Sequence, residues 1–265
     1  MTTLDFITHL FCRVDDKLAQ ANKNQKHTKA NLYPSEVVTI ALLYALKGVG
    51  NRAFYRWIAN NYKSLFPNLP ERTRLFRLFN RHEHLTDMFM ANPSLIGVID
   101  TYGIELIHPR REGRCCGQIG KKGISNQRWI VGGKLCVLVN HLGLIVDWDC
   151  ATANVYDGSH FQHIGDNVTN QMVVFDDQGF TKVDWHPSNL RICSRGQWND
   201  RMLIETILSM LTRGCHLKKV AHRCWTYFKT RLAFTMALFN LLAQWDRLPS
   251  NNDGFVPLSI AQFTL

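Results

Sequence analysis

The sequence lacks several features that would assign it to a common class of protein. Its most apolar run, LAFTMALFNLLAQW at 232–245, lies between Arg231 and Asp246 and falls short of the roughly 18–20 apolar residues that a membrane-spanning helix needs. The first residues carry no basic segment ahead of their apolar stretch, which argues against a signal peptide. The eight cysteines include no Cys-x-x-Cys pair, so we expect reduced thiols rather than a zinc site or a disulfide framework.

Acidic residues are also scarce. Asp and Glu total 21 against 31 Lys and Arg, which gives a formal net charge of +10 and a pI near 9.3. This excess favours a polyanionic partner, either nucleic acid or an anionic membrane surface, and charge alone does not choose between them. Because apolar residues make up 46% and charged residues 20%, the composition is that of a folded chain and excludes a disordered one.

Residues 1–92 are predicted to be helical. One helix starts around Pro34-Ser35-Glu36, with Ser35 as its N-cap and Gly48 or Gly50 as its end. A second helix follows in NRAFYRWIANNY, and ERTRLFRLFNRHEHLTDMFM predicts a third that is basic and amphipathic. Two interpretations remain open: a helix-turn-helix-like DNA-binding unit, or a helical cap with solvated arginines. The basic residues are Arg52, Arg56, Lys63, Arg72, Arg74, Arg77 and Arg81.

From residue 93 the pattern changes to an α/β order. Buried strands are predicted at 95–107, 129–140, 144–153, 172–177 and 190–194, the second and third forming a hairpin. The basic stretch from His108 to Lys134 is predicted to be a loop over its first half, which is marked by Gly113, Gly117, Gly120 and Gly123. Helices are predicted from Asp157, over 199–211 and over 218–245, and an irregular surface tail follows Leu248. The fold prediction is a mostly parallel mixed sheet of five strands with flanking helices, preceded by an all-helical region.

Three acids occupy positions where such a sheet places reactive groups. Asp100 lies inside the first strand, Asp177 closes the fourth, and Glu205 shares one face of the late helix with Trp198 and Arg201. A lone carboxylate amid apolar residues is costly unless it is paired or binds a metal. Carboxylates suit Mg²⁺, and two such ions perform phosphodiester cleavage.

Each acid also has a purely structural interpretation. Asp100 could pair with a buried arginine, Asp177 could belong to the turn before Gly179, and Glu205 could pair with Arg201. Periodicity does not decide whether Asp176 or Asp177 points into the site. Asp157 is interpreted as a helix N-cap or a residue supporting the site, and His160 and His163 as incidental surface histidines.

The segments VIDTYGIEL, GGKLCVLVNHLGLIVDWDCATANVYDG, VVFDDQGF and WNDRMLIETILSML resemble the catalytic domain of bacterial insertion-sequence DDE transposases, particularly the insertion sequence 982 family. The resemblance covers roughly residues 95–245. Its most specific parts are Asp-x-Gly-Phe, matched at 177–180, and aromatic-x2-Arg-x3-Glu, matched by Trp198, Arg201 and Glu205. Related signatures have Tyr at the aromatic position and a Lys seven residues after the Glu, where this chain has Thr212 followed by Arg213.

This resemblance implies a ribonuclease-H-like fold and a metal-binding triad of Asp100, Asp177 and Glu205, holding Mg²⁺ or Mn²⁺. It also implies DNA contacts by Arg201 and Lys134, with Trp198 and Arg213 as further DNA-binding candidates. The implied organisation is a DNA-binding region over 1–92, a catalytic domain over 93–248 and a tail over 249–265.

The function that the resemblance implies is cleavage at insertion-sequence ends and strand transfer into target DNA. Double-stranded DNA is the expected partner, bound by a homodimer in the bacterial cytoplasm at the nucleoid, with no membrane involved. Two alternatives stay open: a ribonuclease-H-like nuclease that cuts without joining, and an inactive copy that only binds DNA.

Overall fold

The structure is a computed structural model. It describes residues 1–125, 127–160, 168, 171–176, 188–193, 201–218, 220–246, 258–263 and 265 of the 265-residue chain, with Arg201 described for its backbone alone. Asp177 and Trp198, two of the predicted site residues, lie outside these ranges, as does His163.

The first part of the described chain is helical, as predicted. In α2 the local signals are offset from the prediction, because Pro34 is the first helical residue, Tyr33 is the N-cap, and the predicted cap Ser35 is buried inside the helix. The helix ends at Gly48, as expected, with a φ of 67° that glycine adopts without strain. The helices of this part are α1 (Thr3–Gln20), α2 (Pro34–Lys47), α3 (Asn51–Asn61), α4 (Arg72–Arg81) and a 3-10 helix (Glu83–Phe89).

The remainder is a mixed α/β unit. Among its described residues six strands form one sheet, and two α-helices, α5 (Arg201–Arg213) and α6 (Trp225–Ala243), follow it. A short 3-10 turn, Pro109–Arg111, lies between the first two strands. The strands are β1 (Ile96–Ile107), β2 (Lys121–Ser125), β3 (Arg128–Asn140), β4 (Ile145–Thr152), β5 (Val173–Asp176) and β6 (Leu190–Ile192).

The sheet order is β2-β3-β1-β5-β6, with β4 pairing beside β2 on the same edge of β3. Between the described strands three pairings are antiparallel and two, β1–β5 and β5–β6, are parallel. The prediction of a mostly parallel sheet is therefore wrong for this part of the chain. The predicted β3–β4 hairpin is confirmed. β2 was not predicted, because Gly120 and Gly123 gave the surrounding segment the composition of a loop.

Apolar residues cover both faces of the sheet. The larger core joins α1 to α4, one sheet face, α5 and α6, and it includes Val98, Val137 and Phe234. A smaller core on the opposite face contains Ile99 and Cys136 among others. The larger core therefore continues across the predicted boundary at residue 92.

The segment after 257 is irregular, as predicted, but it is not a surface tail. Ile260 and Phe263 are 2% and 5% exposed, and the Phe263 ring lies 5.8 Å from that of Phe6 and 5.2 Å from that of Trp245. The sequence prediction failed because these two apolar residues have no periodic neighbours.

No disulfide joins Cys12, Cys115, Cys116, Cys136, Cys150, Cys215 or Cys224 in the described part of the chain. Among the described helices none is by itself long and apolar enough to span a membrane; α2 and α3 reach the required length and composition only together, across a bend of 119°.

Candidate functional site

Asp100 lies on β1, which runs between antiparallel β3 and parallel β5. Its register partner on β3 is Val137, and its carboxylate is half-buried. The Thr101 backbone N–H donates a hydrogen bond of 2.6 Å to Asp100 Oδ1. Alternation along β1 places Val98 and Tyr102 on the same face as Asp100, and this face contacts the larger core.

The next strand carries the predicted second acid at its end. β5 pairs with β1 in parallel, Phe175 opposite Val98, so Phe175 shares the face of Asp100 and Asp176 points to the other face. Asp176 is 1% exposed. This orientation disfavours Asp176 as a partner of Asp100 in one metal site. Asp177, the residue predicted for that role, falls in the range that is not described.

The third predicted acid lies on α5, which packs against β1. The buried side of α5 includes Ile204 and Ile207, which belong to the larger core, whereas Glu205 is exposed. Asp100 and Glu205 therefore come from a strand and a helix that touch on one face of the sheet. Within the described ranges no group of three or more His, Cys, Asp or Glu side chains is arranged to hold a metal.

The predicted DNA-contacting residues occupy different environments. Arg201 begins α5 as described, and Arg213 is exposed in its last turn, about 12 Å along the axis from Glu205. Lys134 lies three residues from Val137 on β3 and so points to the face opposite Asp100. It is 6% exposed, and its Nζ lies 2.5 Å from Asp157 Oδ1 and donates to the Val155 carbonyl at 3.0 Å.

A buried polar cluster accompanies Lys134 on that opposite face. His160 is 1% exposed, so its interpretation as a surface histidine is wrong. Its Nδ1 lies 2.8 Å from Asp149 Oδ2, and Lys229 Nζ lies 3.9 Å from the other oxygen of that carboxylate. Burial acts to raise the pKa of Asp149, but the hydrogen bond and charge of His160 together hold that pKa below its usual value.

The thiol of Cys136 lies in the same cluster. Burial raises its pKa well above the usual value, and the nearby carboxylates, Asp176 first, raise that pKa further. A neutral, inert thiol is therefore expected at this position. The sequence signal for the cluster was slight, namely two acids flanking Trp148 in an otherwise apolar strand.

The helical region carries a basic surface. The apolar side of α4, with Leu75 and Phe79, is buried, while Arg74, Arg77 and Arg81 are exposed. Beside it lies a groove of about 400 Å³ between α4 and the segment before α2. None of the described residues that line this groove is acidic. Its basic and imidazole side chains are Lys26, His27, Lys29, Arg74, Arg81 and His82.

The helical region thus shows features of both interpretations left open by the sequence. Its apolar side completes the core as a cap does, and its arginines form a solvent-facing surface that suits an anionic partner. Comparison of the chain with models of known protein families finds no match. A comparison with curated proteins finds none either.

Proposed function

We propose that the chain is a Mg²⁺-dependent DDE transposase with a ribonuclease-H-like catalytic domain, which cuts DNA at element ends and joins those ends to target DNA. The observation that carries the proposal is the position of Asp100. This acid is half-buried on β1, next to the strand that leads to Asp177 and on the face covered by the helix that bears Glu205.

The strand arrangement supports the fold proposal. Asp100, the first acid of the proposed triad, belongs to β1, and Asp177 directly follows β5 in the sequence; β1 and β5 are adjacent and parallel. Because Phe175 of β5 pairs with Val98, the end of β5 lies level with the middle of β1, beside Asp100. The sequence motifs around Asp177 and Glu205 add to this support.

The donor set fits the proposed metal. Asp100 and Glu205 offer carboxylate oxygens, which are the ligands that Mg²⁺ prefers. Asp100, Asp177 and Glu205 would hold such ions, which would supply activation of the attacking hydroxyl and stabilisation of the leaving oxygen. The Thr101 N–H restricts the orientation of the Asp100 carboxylate, and the apolar neighbours of Asp100 strengthen its attraction for a cation by excluding water.

The charge distribution supports DNA as the substrate. The formal net charge is +10, and Arg74, Arg77 and Arg81 form an exposed row on α4 beside the basic groove. Such a surface binds phosphates without reading sequence. Double-stranded DNA is the proposed partner, and we propose a homodimer because joining two ends calls for two copies of the site. The proposed location is the bacterial nucleoid.

A plasmid-nicking assay with Mg²⁺ or Mn²⁺ tests the catalytic proposal. D100N, D177N and E205Q are expected to lose nicking by at least about a hundredfold, because the metals lose an anionic ligand. D176N should retain nicking if the fold is kept, since Asp176 points to the other face, and D16N on the exposed side of α1 serves as the neutral control. Wild-type nicking by D100N would refute the proposal.

A second assay separates the transposase from a nuclease that does not join. Pre-cleaved DNA with a free 3′-hydroxyl is incubated with protein, metal and a target plasmid. Joined products that D100N fails to form are expected. Nicking without joined products identifies the nuclease, and DNA binding with no nicking by the wild-type chain identifies a copy that only binds.

A further inference from the structure

The β2–β3 hairpin presents cations that the proposed catalytic site does not use. Lys121, Lys122 and Arg128 are exposed on it, and Lys122 forms an ion pair of 3.0 Å with Glu112. The segment that leads into the hairpin adds three exposed arginines, Arg110, Arg111 and Arg114. Residues 108–129 therefore hold six basic residues and one acid, Glu112.

Two large apolar side chains lie exposed among these cations. Ile124 and Trp129 are direct register partners in the hairpin and are 53% and 57% exposed. The Lys122 ammonium lies 5.3 Å from the centre of the Trp129 ring. Trp is enriched in the binding surfaces of proteins because its ring adds a large contact area at a small entropic cost.

The base of the hairpin, at Gly123 and Gly132, packs closely against neighbouring backbone, so the exposed side chains of Ile124 and Trp129 project from a well-packed part of the sheet. A Cβ on Gly132 would lie 2.0 Å from the Ile104 carbonyl of β1, and one on Gly123 would lie 1.8 Å from the carbonyl of Ala153. These close backbone contacts exclude any larger residue at either position.

We propose that the β2–β3 hairpin is a nucleic-acid-binding site, in which an unpaired base stacks on Trp129 while Lys121, Lys122 and Arg128 contact the adjacent phosphates. An aromatic face among cations is the combination that holds single-stranded nucleic acid. An anionic membrane surface would also attract these cations, but a membrane-bound surface needs a broader apolar face than one Ile–Trp pair.

The position of Trp129 favours the nucleic acid. It lies eight residues before Val137 on β3, so alternation places it on the face of Asp100, about 26 Å away along the strand. Binding at the hairpin requires neither metal nor Asp100, and so the inference goes beyond the proposed catalysis.

Fluorescence anisotropy of a labelled 20-nucleotide single strand, measured with EDTA, tests the site. W129A is expected to weaken binding about tenfold, whereas W129F, which keeps a stacking ring, stays within about threefold of wild type. The matched control is L95S, which removes another exposed apolar side chain, 84% exposed, at the other end of β1. K121A/R128A should lower the slope of log affinity against log salt by about 1.4.

Two outcomes overturn the hairpin inference. One is equal affinity of W129A and wild type for the strand, and the other is binding to anionic phosphatidylserine vesicles with none to the strand. Because D100N retains the hairpin, its affinity for the strand is expected to equal that of wild type. Loss of nicking in D100N together with unchanged binding by W129A would refute the hairpin site and leave the catalytic proposal standing.

Discussion

At the scale of single residues, His222 gives the clearest dependence on pH. Burial first, and the charge of Arg231 second, lower the pKa of His222 to about 4 from the ordinary 6.5. Protonation therefore favours the unfolded chain, and stability falls as the pH drops from about 6.5 towards 4. At about pH 5 the expected loss is about 2 kcal/mol relative to neutral pH.

Replacing the imidazole with an apolar ring removes this loss. Urea unfolding of H222F should show a smaller drop in the free energy of unfolding between about pH 7 and pH 5 than wild type shows. H141Q, which changes an exposed histidine, serves as the control and should behave like wild type. If H222F and wild type lose stability equally over this range, His222 is not the group responsible.

Lys134 gives a second prediction at the residue scale. If its role is the ion pair with Asp157, a mutation lowers stability, whereas if it contacts phosphate, a mutation lowers DNA affinity. Its ion pair with Asp157 is largely buried, so K134A leaves a carboxylate without its cation and should cost about 3 kcal/mol of stability. In K134M/D157L an apolar pair replaces the ionic one, and the double variant should regain much of the stability that K134A loses. The readout is the urea midpoint. Unchanged stability with reduced DNA affinity would instead favour the predicted phosphate contact.

At the scale of secondary-structure elements, one amide of α6 ties the helix to the sheet. Asn240 is completely buried, and its Nδ2 donates to the carbonyls of Phe89 and Ile145 at 2.9 and 2.7 Å. Its Oδ1 accepts from the Ile145 N–H at 2.8 Å. These bonds hold the start of β4 and the end of the 3-10 helix against α6.

Removing this amide takes a hydrogen bond from three buried backbone groups, of which the Ile145 carbonyl keeps a second donor, the Ala91 N–H at 2.8 Å. N240A is expected to lower the free energy of unfolding by about 3 kcal/mol, whereas Q244A, an exposed change one turn later on the same helix end, should cost less than about 1 kcal/mol. Chemical denaturation measures both. Equal effects of the two variants would contradict a clamping role for Asn240.

The elements also show what the sequence could predict. The sequence predicted the strand that carries Asp100 and the helix that carries Glu205, because the apolar residues of each segment follow the pattern of the element that it forms. Contacts made across the fold had no such local signal. The pairing of Lys134 with Asp157 and the burial of His160 depend on the chain after β4 lying against the sheet, which no local pattern reports.

At the scale of the whole molecule, one continuous apolar core extends across residue 92, the predicted boundary between the helical region and the catalytic domain. The helix α6 packs against α2, α4 and the 3-10 helix, and the rings of Phe79 and Phe234 lie 6.2 Å apart. Polar contacts cross the same division, since Thr230 accepts from Asn80 at 2.9 Å and donates to Glu83 at 2.5 Å. The helical region therefore depends on residues far along the chain.

We expect the helical region not to fold without α6. A fragment of residues 1–92 loses the apolar partners that α6 provides for Phe79 and its neighbours, and exposing that surface removes the main force that folds it. By circular dichroism the fragment should show no cooperative thermal transition, while the full chain shows coincident transitions by circular dichroism and tryptophan fluorescence. A fragment that melts cooperatively would establish residues 1–92 as an independent domain, and the shared core would then be an interface between two folded units.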